Sequence, residues 1–376
     1  MLVKIPLSIS SKQQLKTQIK AYLNRIVLGI SPKLHARISG FYIKRLITNL
    51  KGDKILNDIE YKDLEKLFKN YLYDFKRFLT WAVLDHDLHD KTSLKAYITK
   101  EYHRIEKRLA FKEPRVGFRP EIARGLASKT KTYLEKYGAD DTIRTSTDCL
   151  EAYYGFNLRH GVDDANLRKE IDSIKSGLNL IDTYNLGGTL ELTRESVFEK
   201  AKINLKDFFE SRYSIRDFSP EPVDRDLLKR AVSMAQKTPS VCNRQSSKVY
   251  LFDDETLKNL VLQYQNGNKG FGDKAKAVLV VTSDLRHFFS IGERYQGWID
   301  GGMFSMSLVY ALHSLGLGTC CLNWSVEKHT DRALKTAAGI DDYESIIMMI
   351  AVGHLPEKFK VAKSSRKSLE EVLYIR

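Results

Sequence analysis

The 376-residue chain is 43% hydrophobic, enough apolar material to bury cores in two domains. Its four cysteines are too few for a disulfide framework, which points to a reducing compartment. The net charge of +14 is local: residues 1–50 hold nine Lys/Arg and no Asp or Glu, while the remainder holds 52 basic and 47 acidic side chains. That distribution describes a basic arm rather than a basic whole. No reading element or stacking surface accompanies it, which argues against nucleic acid as a partner.

Met1 to Ser10 lacks the basic start and long apolar core of a secretory signal, and the apolar runs are too short for a membrane span. The expected location is therefore cytoplasmic. Within the arm, Leu15, Ile19, Leu23, Ile26 and Val27 line one helical face, with Lys12, Lys16, Lys20 and Arg25 on the polar side. Such a helix could lie weakly on the inner face of an anionic membrane or dock on a protein. An ordinary helix packed on its own domain has the same pattern.

From Ile59 to His89 the pattern is helical, with Leu64, Leu67, Phe68, Tyr71, Leu72, Phe75 and Phe78 forming a face that reads as core. His86 and His89 stand among Asp85, Asp87 and Asp90, but no third and fourth ligand follow at a metal-site spacing. Residues 111–127 carry Pro114, Gly117, Pro120 and Gly125 and read as loop. Helical patterning returns at Ser128–Lys136 and, more weakly, between Thr147 and Leu180. Gly187-Gly188 breaks the chain.

The second half has a different character. After an apolar helical run from Val197 to Phe209, Arg212, Ser214 and Arg216 alternate with Tyr213 and Ile215. In an extended segment this puts two guanidiniums and a hydroxyl on one side, a set suited to a phosphate. A solvated edge strand would look the same. Asp224 to Lys237 reads as an amphipathic helix stopped by Pro239, and Asn243 and Gln245 follow, each offering an amide donor and acceptor. Strands are expected over 247–252, 275–282 and 346–353. An all-round apolar helix is expected at Met303–Leu315, and Leu317–Leu322 reads as a close-packed turn with free backbone N–H groups. The adjacent Cys320 and Cys321 read as buried packing.

Six patterns occur in order: Arg-x-Ser-x-Arg at 212–216, Thr-Pro-Ser-x-x-Asn-x-Gln at 238–245, Asp-Gly-Gly at 300–302, Gly-Leu-Gly-Thr-Cys at 316–320, Ala-Val-Gly-His at 351–354 and the tail from Lys363 to Val372. Over residues 195–376 this order resembles the nitroreductase family of FMN-dependent oxidoreductases. The resemblance implies an α+β fold, a central mostly antiparallel sheet flanked by helices, in a homodimer with FMN at the interface. Residues 1–190 would precede it as a mainly helical extension. It further implies that Arg212 and Arg216 bind the FMN phosphate beside Ser214, with Arg366 and Lys363 closing that site. Asn243 would meet the flavin ring edge, Gln245 the ring or ribityl chain, and the backbone of Gly318 and Thr319 the reactive end of the ring. NADH or NADPH would be the transient donor and an electron-poor small molecule the acceptor. The alternatives are a flavin oxidase or dehydrogenase of a specialised metabolite, and a non-catalytic scaffold that keeps the fold.

Three departures qualify the resemblance. The chain carries about 190 additional residues, Tyr213 stands where a second Arg or His is frequent, and Cys321 replaces an aromatic after the Gly-Thr-Cys motif.

Overall fold

The computed structural model describes residues 61–84, 88, 90–178, 184–193, 203–362, 364 and 366–376. The basic arm, His86, His89, the start of the 197–209 run and Lys363 lie outside the described residues. The chain divides into two compact units, Met1–Asp74 and Phe75–Arg376. Helix α1 (Tyr61–Trp81) runs across that division. Its expected core face is not uniformly buried: Leu67, Tyr71 and Phe75 are 54%, 63% and 61% exposed, while Tyr73 and Arg77 are buried. Amphipathic spacing marks a face, but it does not reveal whether anything covers it.

Four helices follow: α2 (Lys91–Leu109), α3 (Pro120–Tyr137), α4 (Asp141–Arg159) and α5 (Ala165–Gly177). Their ends are written in the sequence. Asp90 caps α2 by accepting from the Thr92 and Ser93 amides at 2.7 and 3.0 Å. Asp140 does the same for α4 and Asp164 for α5. The loop expected over 111–127 ends earlier than that, because Pro120 occupies the first turn of α3, where its missing N–H costs nothing. Ile98, Leu126, Tyr133, Ile143, Leu150 and Ile171 are fully buried where these helices meet. Residues 184–193 return along α4, where the buried Asp148 carboxylate accepts the Tyr184, Leu186 and Gly187 amides.

The second half builds an α+β layer. After α6 (Leu205–Glu210) and α7 (Arg225–Ala235) come β1 (Ser247–Phe252), α8 (Glu255–Leu262), β2 (Ala277–Asp284), α9 (Gln296–Ser314), β3 (Leu317–Asn323), α10 (Lys328–Ala338) and β4 (Glu344–His354). The sheet order is β1-β2-β4-β3, and every neighbouring pair is antiparallel. β2 is buried at all eight positions, as its unbroken apolar run requires of a strand covered on both faces. Phe304, Leu308 and Leu312 of α9 and Leu228 and Ala231 of α7 cover one face, and Val261 of α8 and Leu334 of α10 cover the other.

One expectation is overturned here. Leu317–Leu322 is not a turn with free N–H groups but most of strand β3, paired to β4 from Leu317↔His354 through Asn323↔Met348. Gly316, with φ 78°, ends α9 and lets the chain reverse directly into the strand. Among the described residues no helix is long and apolar enough to cross a membrane.

Candidate functional site

The free edge of β3 carries the Arg-x-Ser-x-Arg segment. Ser214 forms a parallel bridge with Thr319, and the Ile215 amide donates to the Thr319 carbonyl at 2.8 Å. Ile215 and Phe218 anchor the segment in the core beneath. Two glycines permit this approach. A Cβ on Gly318 would lie 3.1 Å from Ile215 and 2.9 Å from Leu355, and one on Gly353 would lie 2.7 Å from the Phe218 ring. Gly318 and Gly353 are partners across β3 and β4, so a methyl-free strip runs beneath the segment.

With Ile215 facing inward, Arg212 and Ser214 are half-buried and Arg216 is exposed. Among the described residues neither Arg212 nor Arg216 forms an ion pair; Arg216 lies 5.9 Å from the Phe271 ring centroid. Two guanidiniums without counter-ions beside a hydroxyl are a donor set that fits a phosphate. Thr319 and Gly318 are buried within β3. Arg366 is exposed and donates to the Ser364 carbonyl.

The loop after α7 carries the other expected residues, Asn243 and Gln245. Cys242, Asn243 and Gln245 all have left-handed backbones, with φ of 48°, 53° and 51°. Three such non-glycine residues within four positions need support from outside the loop. Arg244 supplies it. Its side chain is buried and meets Glu293 through two nitrogens at 2.6 and 3.1 Å, while its Nε donates to the Val241 carbonyl at 3.1 Å. The guanidinium also lies 5.5 and 5.4 Å from the Phe288 and Phe289 ring centroids. Burial would raise the Glu293 carboxyl, but Arg244 and the Phe289 amide outweigh it and hold it below the usual range. Asp300 accepts the Val241 amide at 3.1 Å, and Ser240 Oγ accepts the Gln245 amide at 2.9 Å.

Arg244 and Glu293 were missed by sequence reasoning; an Arg in a polar loop and a Glu 49 positions on share no local pattern. The Asn243 carboxamide makes no hydrogen bond among the described residues, while the Gln245 Nε2 donates to the Asn243 carbonyl at 3.2 Å. Thr238, Ser240, Gln245, Asp300 and Phe304 line a cavity of about 110 Å³.

Cys320 is buried and Cys321 is exposed on β3, which corrects the expectation of burial for the latter. Desolvation pushes both thiols up, only partly countered by Arg216 at Cys320 and Arg212 at Cys321. Both stay protonated at neutral pH, which argues against a thiolate nucleophile here. His313 is pushed down by burial and by Arg212, and it bonds Ser211 Oγ at 3.0 Å. Among the described residues no cluster of three or more His, Cys, Asp or Glu could hold a metal.

Residues 209–264 and 255–354 match the model of the Nitroreductase family, so the resemblance expected from sequence holds over the segment carrying the sheet and the site. That family is one of oxidoreductases, and the segment is similar to it. Among proteins of curated function, none matches the chain. Solved structures similar to it include an FMN-dependent nitroreductase from Clostridium difficile, at 21% identity over 45% of this chain and 98% of that one, with a TM-score of 0.39. Another is described as a nitroreductase in complex with FMN, from Desulfovibrio desulfuricans, at 21% identity over 46% and 98%, with a TM-score of 0.41. A nitroreductase family protein from Streptococcus pneumoniae aligns at 18% identity over 46% and 100%, with a TM-score of 0.40.

Proposed function

We propose that the chain is an FMN-dependent oxidoreductase that takes reducing equivalents from NADH or NADPH and delivers them to an electron-poor small molecule. The observation that carries this reading is the pair of guanidiniums, Arg212 and Arg216, that meet no counter-ion among the described residues and flank Ser214 on the edge of β3. Bound FMN would supply the two-electron chemistry, and the protein would supply binding, orientation and electrostatics. Arg212 and Arg216 would offer parallel N–H donors to the phosphate and Ser214 its hydroxyl. Asn243 would match a ring edge that mixes carbonyl and N–H groups, held there by the left-handed loop that Arg244 and Glu293 stiffen. Gln245, Gly318 and Thr319 would border the ring, and Lys363 and Arg366 would add cationic charge. The neutral thiols of Cys320 and Cys321 would shape the pocket without reacting.

The site would be completed by a second copy of the chain. The loop cavity of about 110 Å³ is well below the roughly 300 Å³ at which ligand pockets begin. Tyr295, Ile299 and Met303 expose an apolar stripe along α9, and the terminal residues Leu373, Tyr374 and Ile375 are 51%, 74% and 89% exposed. Both surfaces suit a homodimer. The helical part within residues 1–190 would select the acceptor or recruit a partner.

The test is the visible absorption spectrum of the purified protein, followed by anaerobic addition of NADH and NADPH. Flavin bands that bleach with either nucleotide are expected. Arg212→Ala should lower flavin retention after desalting while leaving the fold intact, and equal retention would refute the phosphate assignment.

A further inference from the structure

The C-terminal half of α2, the turn at 110–119 and the start of α3 enclose a groove that the oxidoreductase reading does not use. It comprises two adjoining cavities of about 470 and 220 Å³ that share Arg108, Phe111, Phe118 and Arg119 as walls. Lys107 lines the smaller and Arg115 the larger. Among the described residues Lys107, Arg108 and Arg115 form no ion pair. Arg119 meets the exposed Glu121 at 3.5 Å, and Arg104, on the wall of the smaller cavity, is paired with Glu101 at 2.8 Å. Among the described residues that line the groove, Glu113 brings a carboxylate to its wall.

Aromatic surface accompanies the charge. Phe118 is buried, held by an edge-on contact with Tyr153 at 5.0 Å. Phe111 is 46% exposed, with the Arg108 guanidinium 5.4 Å from its ring centroid. Three of the lining cations, Lys107, Arg108 and Arg115, thus meet no carboxylate among the described residues, at a concave place where an exposed aromatic ring also stands.

We propose that this groove binds a phosphorylated small molecule bearing a flat ring, of the nucleotide class. The larger cavity is of ordinary ligand-pocket size. Arg108, Arg115 and Arg119 would grip phosphate oxygens through paired N–H donors, and the exposed Phe111 ring would stack on the base. An extended polyanion such as RNA, or an acidic peptide, fits less well, because the cations surround a bounded cavity instead of tracing a stripe.

Isothermal titration of the full-length protein with ADP, adenosine and inorganic phosphate tests this assignment. ADP is expected to bind at least about tenfold more tightly than either fragment, since ring and phosphates act together. Arg108→Ala and Arg115→Ala should each weaken ADP binding about tenfold, the scale of one lost charge-assisted contact. Both side chains are exposed, so neither variant should shift the thermal midpoint. Arg212→Ala should leave ADP affinity unchanged, which separates this groove from the β3 edge. Absence of ADP binding would overturn the assignment, and so would affinity unaltered in both groove variants. Tighter binding of a 5′-phosphorylated oligoribonucleotide or of polyglutamate than of ADP would overturn it in favour of a macromolecule.

Discussion

Replacing Arg244 by Met removes a cation that ties the left-handed loop to Glu293. The side chain has the right length to fill most of the stem's space, so the loss is mainly electrostatic. Three donor contacts disappear, two to Glu293 and one to the Val241 carbonyl. Breaking one side of a buried pair costs roughly 3–5 kcal/mol. Glu293 is 22% accessible and keeps the Phe289 amide at 2.7 Å, so the lower end, about 3 kcal/mol, is expected. Urea unfolding followed by circular dichroism measures it, with the midpoint falling and the slope unchanged. The double variant Arg244→Met/Glu293→Leu should recover part of the loss, because no charge is left unpaired. The exposed pair Arg225–Asp253, which also has two contacts, serves as control, and Arg225→Met should cost far less. A loss in Arg244→Met no larger than in that control, or a double variant worse than the sum of the singles, would refute the reasoning.

Two further outcomes follow from the same layer. His287 faces Asp284, Lys248, Arg286 and Arg244, and burial dominates, lowering it to about 4 from its ordinary 6.5. The unfolded chain therefore binds the proton first: stability is full above pH 6.5 and falls on acidification toward 4, by on the order of 3 kcal/mol. His287→Gln should flatten the stability profile between pH 6.5 and 4.5, and an unchanged slope there would show that His287 is not the group responsible. Gly353→Ala places a methyl 2.7 Å from the Phe218 ring without any backbone penalty, and should cost about 1–3 kcal/mol. It should weaken flavin retention together with stability, because Phe218 anchors the segment bearing Arg212 and Arg216; retained flavin at reduced stability would uncouple the two.

What the sequence made legible depended on how local each signal was. The apolar run at 275–282 identified β2, observed at Ala277–Asp284, because burial on both faces leaves no room for polar alternation. The ends of α7 were written in Asp224 and Pro239, whereas the helix that Asp90 caps was not anticipated. β3 was not legible, since Gly318 lowers strand propensity and its reason for being glycine is Ile215, about a hundred positions earlier. Arg244 was equally hidden: a cation in a polar loop reads as solvated until Glu293 and two phenylalanines are brought over it. The Arg212, Ser214 and Arg216 alternation was read correctly as extended, but nothing local could say that its partner strand would be β3.

The helices at 91–177 are part of the same body as the sheet. Val83, Ala96 and Phe289 are buried together, with Tyr97 edge-on to Phe289 at 6.2 Å and the Lys100 ammonium 4.5 Å from that ring centroid. The Val83 amide donates to the Phe288 carbonyl at 2.8 Å, and Arg286 reaches Asp90, the cap of α2, at 3.6 Å. α2 also packs against Val241–Asn243. Phe288 and Phe289 are the two rings beside the Arg244 guanidinium, and the Phe289 amide helps hold Glu293. The support of the left-handed loop therefore rests partly on apolar contacts that the helical layer supplies to Phe289. The Phe288 and Phe289 rings shield the Arg244 guanidinium, which strengthens its pairing with Glu293 by lowering the dielectric on that side. α2 is about 28 Å long at 1.5 Å per residue, with this loop near its first turns and the cationic groove at its last. One helix thus packs against the Val241–Asn243 loop and also lines the cationic groove.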